Sequence, residues 1–219
     1  MTKKQRGALI VSALKAEYPD NELITLDFDP DKPFQLLFAT RLAAQCTDIR
    51  VNKVTEVLFK EYPALEDYAA ADVKAVEKIV RPCGLGPTKA RDIVGAAQML
   101  ISDFGGIVPD NMEDLLKLPG IGRKTANVVL GDIYKKPVVV VDTHCLRLSN
   151  LLGLVKSKNP EIVERELSKI IDPAESNDFS HRLVIHGRAV CVARRPQCEN
   201  CCVYEYCLNS PLKKEKTKK

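Results

Sequence analysis

Long apolar runs are missing from this sequence of 219 residues, and none approaches the ~20 residues that a membrane-spanning helix requires. The start, Met1-Thr2-Lys3-Lys4-Gln5-Arg6, is basic, but Lys15, Glu17 and Asp20 interrupt the apolar core of a secretory signal. Internal repeats are lacking, and the Lys-rich end is the one low-complexity stretch. Strand signals are equally scarce. Val138-Val139-Val140-Val141 is strongly β-prone, yet a lone run with no second strand cannot make a sheet. Eight cysteines are present, enough for four disulfides, but that framework belongs to small secreted scaffolds. Here four crowd the C-terminus while Cys46, Cys83 and Cys145 are scattered singly. Metal ligation in a reducing compartment is the better reading, so a cytosolic protein is expected.

What is present is ordinary for a globular chain: 45% hydrophobic and 28% charged residues. The length allows one large domain or two small ones. A net charge of +4 and a pI near 8.6 are too mild to identify a nucleic-acid partner. The distribution is more telling: Arg123-Lys124, Lys135-Lys136, Arg188, Arg194-Arg195 and Lys213 to Lys219. Such clusters can supply phosphate contacts, although the tail 213–219 reads as a disordered, solvated end.

Apolar spacing predicts helix after helix, so the fold class is all-α. Val51, Val54, Leu58 and Tyr62 share a face behind Asp48 as N-cap. Val73, Val76 and Val80 follow Asp72, and Ala90, Ile93, Ala97 and Leu100 follow Thr88. Asn111 opens a short helix holding Leu115 and Leu116. Asn159-Pro160-Glu161 combines a cap, a first-turn proline and an early acid ahead of Ile162, Val163, Leu167 and Ile170. The valine run becomes a buried connector that delivers Asp142.

Leu118-Pro119-Gly120-Ile121-Gly122 links that short helix to a longer one from about Arg123 to Tyr134. Gly120 and Gly122 permit backbone angles that a Cβ forbids, and they let a phosphate approach the main chain. Exposed N–H groups and the helix dipole would welcome it there, while Ile121 pins the turn to the interior. This is a helix-hairpin-helix reading, suited to gripping DNA through phosphate. An ordinary inter-helix turn punctuated by Pro and Gly is the plainer alternative.

Lys124 falls in the first turn of the second helix, where cations are disfavoured. The helix end and Arg123 should lower its pKa and free a nucleophilic lone pair. A depression of ~3 units, equivalent to roughly 4 kcal/mol, also calls for partial burial. The competing role is a simple phosphate contact. Asp142, before Thr143-His144-Cys145, is either a helix N-cap or a carboxylate that takes a proton or stabilises a cationic sugar carbon. One residue can do both. His144 is read as a packed helix residue.

Cys191, Cys198, Cys201 and Cys207 have the spacing C-x6-C-x2-C-x5-C and can enclose one metal centre. Zinc sites usually pair two close knuckles, and only Cys198-x-x-Cys201 is one. A four-thiolate cuboidal cluster tolerates the uneven loops better. Cys202 is a further thiol beside Cys201.

Leu118 to Val128, with Val141-Asp142-Thr143-His144, closely resembles the helix-hairpin-helix DNA glycosylases, and among them the endonuclease III family. The cysteine spacing is similar to that family's [4Fe–4S] loop. Leu42 to Asp48 and His186-Gly187-Arg188 also resemble family segments, so the likeness runs from about Pro33 to Cys207. The resemblance implies a six-helix barrel domain over 26–136, with the hairpin at about 111–134. It implies an iron–sulfur cluster domain from 1–25 and 137–219, and an active site in the cleft between them.

The implied activity is a bifunctional DNA glycosylase and AP lyase. It would remove oxidised pyrimidines from duplex DNA and cut 3′ to the abasic site by β-elimination. Lys124 would attack C1′ and form the Schiff base, with Asp142 assisting. Gln45 resembles the residue that fills the space left by the extruded nucleotide, and Leu85 the wedge on the opposite strand. Their plainer readings are a polar helix end and a buried loop anchor. Arg194 and Arg195 on the cluster loop, and Arg188, would meet phosphate. The expected protein is a monomer acting on double-stranded DNA with damaged bases or abasic sites, without a membrane, in a prokaryote-like, nucleoid-associated cytoplasm. A monofunctional adenine glycosylase and a non-catalytic DNA-binding relative are the alternatives. Lys124 argues against the first, and retention of both Lys124 and Asp142 against the second.

Overall fold

Helices begin where short polar side chains can satisfy the first free N–H groups. The structure, a computed structural model, describes residues 1–19 and 23–209, so the lysine tail lies outside the described residues. Asp72, Asn111, Asp142 and Asn159 each cap a helix by accepting a main-chain N–H. Among the described residues there is no strand. The described chain falls into two compact units, Thr25–Tyr134 and Met1–Ile24 with Lys135–Lys219.

The continuous unit holds seven α-helices among the described residues. They are α2 (Pro33–Leu42), α3 (Asp48–Glu61), α4 (Leu65–Ala70), α5 (Val73–Val80), α6 (Gly86–Phe104), α7 (Met112–Leu115) and α8 (Arg123–Asp132). Helix α2 is buried from Phe34 to Thr40 and again at Leu42, so it forms the centre that the others cover. Phe34, Phe38 and Tyr68 meet there with ring centroids 5.0–5.9 Å apart.

Several details depart from the sequence expectation. Asp48 is the first helical residue of α3 rather than its cap, which is Thr47; its carboxylate accepts from the Thr25 hydroxyl at 2.9 Å. Tyr62 terminates α3 instead of extending its stripe. Helix α6 starts at Gly86, before Thr88, and Leu116 is exposed. Helix α8 stops at Asp132, short of Tyr134, whose hydroxyl instead donates to the Val108 carbonyl.

The discontinuous unit contains α1 (Lys3–Glu17), α9 (Thr143–Leu151), α10 (Pro160–Ile170) and α11 (Ser176–Ala189). Its core joins Ile10 and Leu14 of α1 to Cys145, Leu148, Val163, Leu167, Phe179 and Leu183. Val139, Val140 and Val141 are buried without forming a strand. The Val140 N–H is satisfied by the Ser180 hydroxyl at 3.0 Å, so burial of the connector leaves that donor paired. The run therefore behaves as a buried lead into Asp142.

Candidate active site and cysteine centre

The hairpin is a tight turn seated on α2 and α6. The Ile121 N–H donates to the Leu118 carbonyl at 3.2 Å, with Pro119 and Gly120 at the corner. Gly120 holds φ +72°, which a side chain resists. A Cβ there would also lie 2.6 Å from Arg41 Nε and against the Asp92 carboxylate. Those two residues form a half-buried ion pair, Arg41 Nη2 to Asp92 Oδ2 at 2.6 Å, tying α2 to α6 beneath the turn. Pro119 rests on Gly95 of α6, where a Cβ would come within 3.3 Å of the ring. Ile121 is buried.

Gly122 corrects one expectation. Its φ of −100° and ψ of 174° are open to any residue, so it is not required by backbone angle. As N-cap of α8 it supplies no side-chain acceptor, and a Cβ there would meet nothing within 4 Å. The space beside Gly122 at the head of α8 is thus clear, and a helix N-terminus is where an anion is welcomed.

Lys124 stands in that first turn with its side chain exposed. The partial burial expected of it is therefore not supplied by the protein in this state. Gln45 and Leu85 occupy turns of the same unit, after α2 and before α6. Both are exposed, and both take left-handed backbone, φ +57° and +53°. Leu85, 53% exposed, is thus not the buried loop anchor that its plainer reading required. Gln45 lies beyond the helix end in its own turn.

Asp142 belongs to the discontinuous unit. It is half-buried, and its Oδ1 accepts the Cys145 N–H at 2.7 Å. The cap needs one oxygen, so the carboxylate is held rigidly while the second oxygen is not required for it.

Cys191, Cys198, Cys201 and Cys207 all line one cavity of about 120 Å³, together with Arg147, His186 and a largely apolar wall. Cys202 does not line it. Among the described residues, no three His, Cys, Asp or Glu side chains stand close enough to clamp a single ion. Zinc would draw four sulfurs to about 2.3 Å from one centre. Four thiols around one cavity are the donor set that a bound metal centre would need. Burial pushes the Cys201 thiol up to about 12, so it is protonated near neutral pH without a cation beside it.

Two polar side chains meet the sulfurs. Arg147 donates to the Cys191 carbonyl at 2.6 Å and approaches its Sγ at 3.7 Å. His186 lies between the Tyr18 hydroxyl at 2.9 Å and Cys201 Sγ at 3.3 Å. Burial, reinforced by Arg147, lowers the His186 pKa to about 4, which keeps the ring neutral. Arg194 and Arg195 are exposed on the loop between Cys191 and Cys198, and Arg188 is exposed in the last turn of α11.

Residues 38–173 match the family described as HhH-GPD superfamily base excision DNA repair protein. Endonuclease III of Synechocystis is 45% identical over 207 residues, 94% of this chain and 93% of its own length. This chain belongs to the endonuclease III family. Endonuclease III of Bacillus subtilis is 40% identical over 80% of each chain. A solved non-covalent endonuclease III–DNA complex superposes over the whole of both chains with TM-score 0.89 and 38% identity. As an endonuclease III family member the protein is a base-excision DNA glycosylase and AP lyase.

The sequence reading of this family member missed Arg41 and Asp92 beneath the turn, and Arg147 and His186 beside the sulfurs. His186 and Arg147 carried a usable signal, since polar residues interrupt the apolar faces of α11 and α9. Arg41 and Asp92 carried none, because their pairing spans 51 residues.

Proposed function

We propose that this endonuclease III relative removes oxidised pyrimidines from duplex DNA and then breaks the strand 3′ to the lesion through a lysine Schiff base. The observation that carries this reading is an exposed lysine in the first turn of a helix whose N-cap, Gly122, has clear space where a side chain would stand. Phosphate held at the N–H groups of α8 would bring the strand to Lys124. Contact with DNA would then remove water from the ammonium, the desolvation that the free protein does not provide.

In the reaction, the neutral Lys124 Nζ attacks C1′ and the bond from C1′ to the base breaks, its electron pair leaving with the base. Ring opening gives a C1′=N Schiff base. Loss of a C2′ proton then expels the 3′ phosphate by β-elimination. Asp142, anchored by its cap, takes up the proton or stabilises positive character at C1′. The nucleotide must leave the stack, which costs a few kcal/mol and least for a damaged base. Gln45 fills the vacated space and Leu85 wedges the opposite strand, both from exposed turns. Arg188, Arg194 and Arg195 contribute phosphate contacts.

Cys191, Cys198, Cys201 and Cys207 would hold a [4Fe–4S] cluster, which supplies four covalent anchors to a loop with little core of its own. The protein acts as a monomer in a prokaryotic cytoplasm, at the nucleoid. Among the described residues no helix is long and apolar enough to cross a membrane.

The test is borohydride trapping on a duplex carrying thymine glycol and on a single-stranded abasic oligonucleotide. Wild type should become covalently attached to both. Lys124→Ala should give no adduct, and Asp142→Asn, which keeps the capping oxygen, should fold normally and trap at least about a hundredfold more slowly. An undiminished adduct from Lys124→Ala would remove the lysine from the chemistry.

A further inference from the structure

Lys89, in the first turns of α6, is a cation with no exposure at all. Its Nζ donates to three main-chain carbonyls, those of Leu42, Ala44 and Cys83, each at 2.8 Å. An ammonium has three N–H donors and no acceptor, so these bonds use its whole capacity. Burial lowers its pKa, but a neutral amine would leave one of the three carbonyls without a donor. The bonding pattern selects the charged form, and the three carbonyl dipoles offset its desolvation.

The three acceptors share a location. Ala44 immediately precedes Gln45, and Cys83 lies two residues before Leu85. The nitrogen thus joins the turn that ends α2 to the turn that opens α6, 41 residues apart at Leu42 and Cys83 (83 − 42). Both turns carry a non-glycine residue in left-handed backbone, and such conformations persist only where the surroundings over-determine them. A lesser tie runs alongside, with Arg50 Nη1 approaching the Pro82 carbonyl at 3.5 Å. The buried Cys83 thiol also sits beside Cys46, the residue after Gln45.

We propose that Lys89 is a positioning residue that clamps the Gln45 turn and the Leu85 turn into one two-pronged reader of the duplex. The proposal rests on the reading that these two side chains enter DNA. With the clamp, the two prongs keep a fixed spacing as they meet the strands, and extrusion of the nucleotide proceeds as one concerted event. Lys89 touches neither the sugar nor the base, so its effect falls on extrusion and not on the bond-breaking steps.

A lysine that merely filled the core would affect every activity through stability alone. The discriminating experiment compares duplex and single-stranded substrates. Lys89→Met should lower the single-turnover rate on a thymine glycol duplex at least about tenfold, the size of one lost charge-assisted hydrogen bond. Cleavage of a single-stranded abasic oligonucleotide, which needs no extrusion, should stay within about twofold of wild type. The fluorescence rise of 2-aminopurine beside the lesion should be lost in the same proportion as the duplex rate. Equal losses on both substrates, or none on either, would overturn the clamp.

Should Lys89→Met fail to fold, the wild-type lysine still allows a test. Gln45→Ala and Leu85→Ala should each impair extrusion, and the double variant should be no worse than the more impaired single one. Strict additivity would show two independent prongs and overturn the proposal. If wild type itself failed to trap the single-stranded abasic site, the lyase reading would fall instead, and that outcome is distinguishable because it involves no substitution.

Discussion

Gly120 and Gly122 stand two positions apart and meet different demands. Gly120 combines left-handed backbone with a neighbouring ion pair that leaves no room for a methyl group. Gly120→Ala should destabilise the protein by about 2–3 kcal/mol, seen as a lower melting temperature. Gly122→Ala meets neither obstacle and should lose only about 1 kcal/mol or less, the cost of alanine at an N-cap. Its methyl group would instead stand where phosphate is to approach, so duplex affinity by fluorescence anisotropy should fall. Matching melting curves for the two variants would contradict this division. The sequence could not have separated them, because the atoms that crowd Gly120 come from α2 and α6. Lys89 was more legible. It lies in phase with Ile93, Ala96 and Leu100, so a lysine on an apolar stripe was already visible, though its three acceptors were not.

Helix α9 shows how one element serves two ends. Asp142 caps it through the Cys145 N–H, while the Cys145 thiol is fully buried, which pushes it up to about 12 from an ordinary value near 9. The folded thiol therefore keeps its proton where the unfolded one has lost it. Stability from this group is complete below about pH 9 and declines as the pH rises toward 12. The fall amounts to roughly 4 kcal/mol at most. Denaturant melts at pH 7 and pH 10 should show a smaller loss for Cys145→Ala than for wild type; equal losses would rule out this thiol as the source. Helix starts were the most readable elements, since Asp72, Asn111, Asp142 and Asn159 each precede an apolar stripe. Asp48 misled because Thr47 is also a capping type, and the stripe cannot choose between adjacent candidates. The left-handed Leu85 at the head of α6 was invisible, because no propensity predicts leucine there.

At the scale of the molecule, a cluster held as proposed would anchor the cysteine loop to the rest of the discontinuous unit through the four cavity-lining cysteines. Cys198→Ser should abolish visible absorption from the cluster and lower the melting temperature of that unit, whereas Cys202→Ser, outside the cavity, should retain the colour. Loss of colour in both variants would reverse the ligand choice. The all-α class was readable because one β-prone run had nothing to pair with. The division of the chain was not readable from periodicity, which carries no mark of ties such as Lys15 to Glu175, 160 positions apart.

That discontinuity has a consequence for synthesis. Helix α1 emerges from the ribosome before the rest of its unit, yet Ile10 and Leu14 share a core with residues as late as Val203. Thr25–Tyr134 can complete its own core while the remainder is still being translated. Helix α1 is thus late to find its neighbours, so a nascent chain halted near residue 190 would display an unsheltered apolar flank to chaperones.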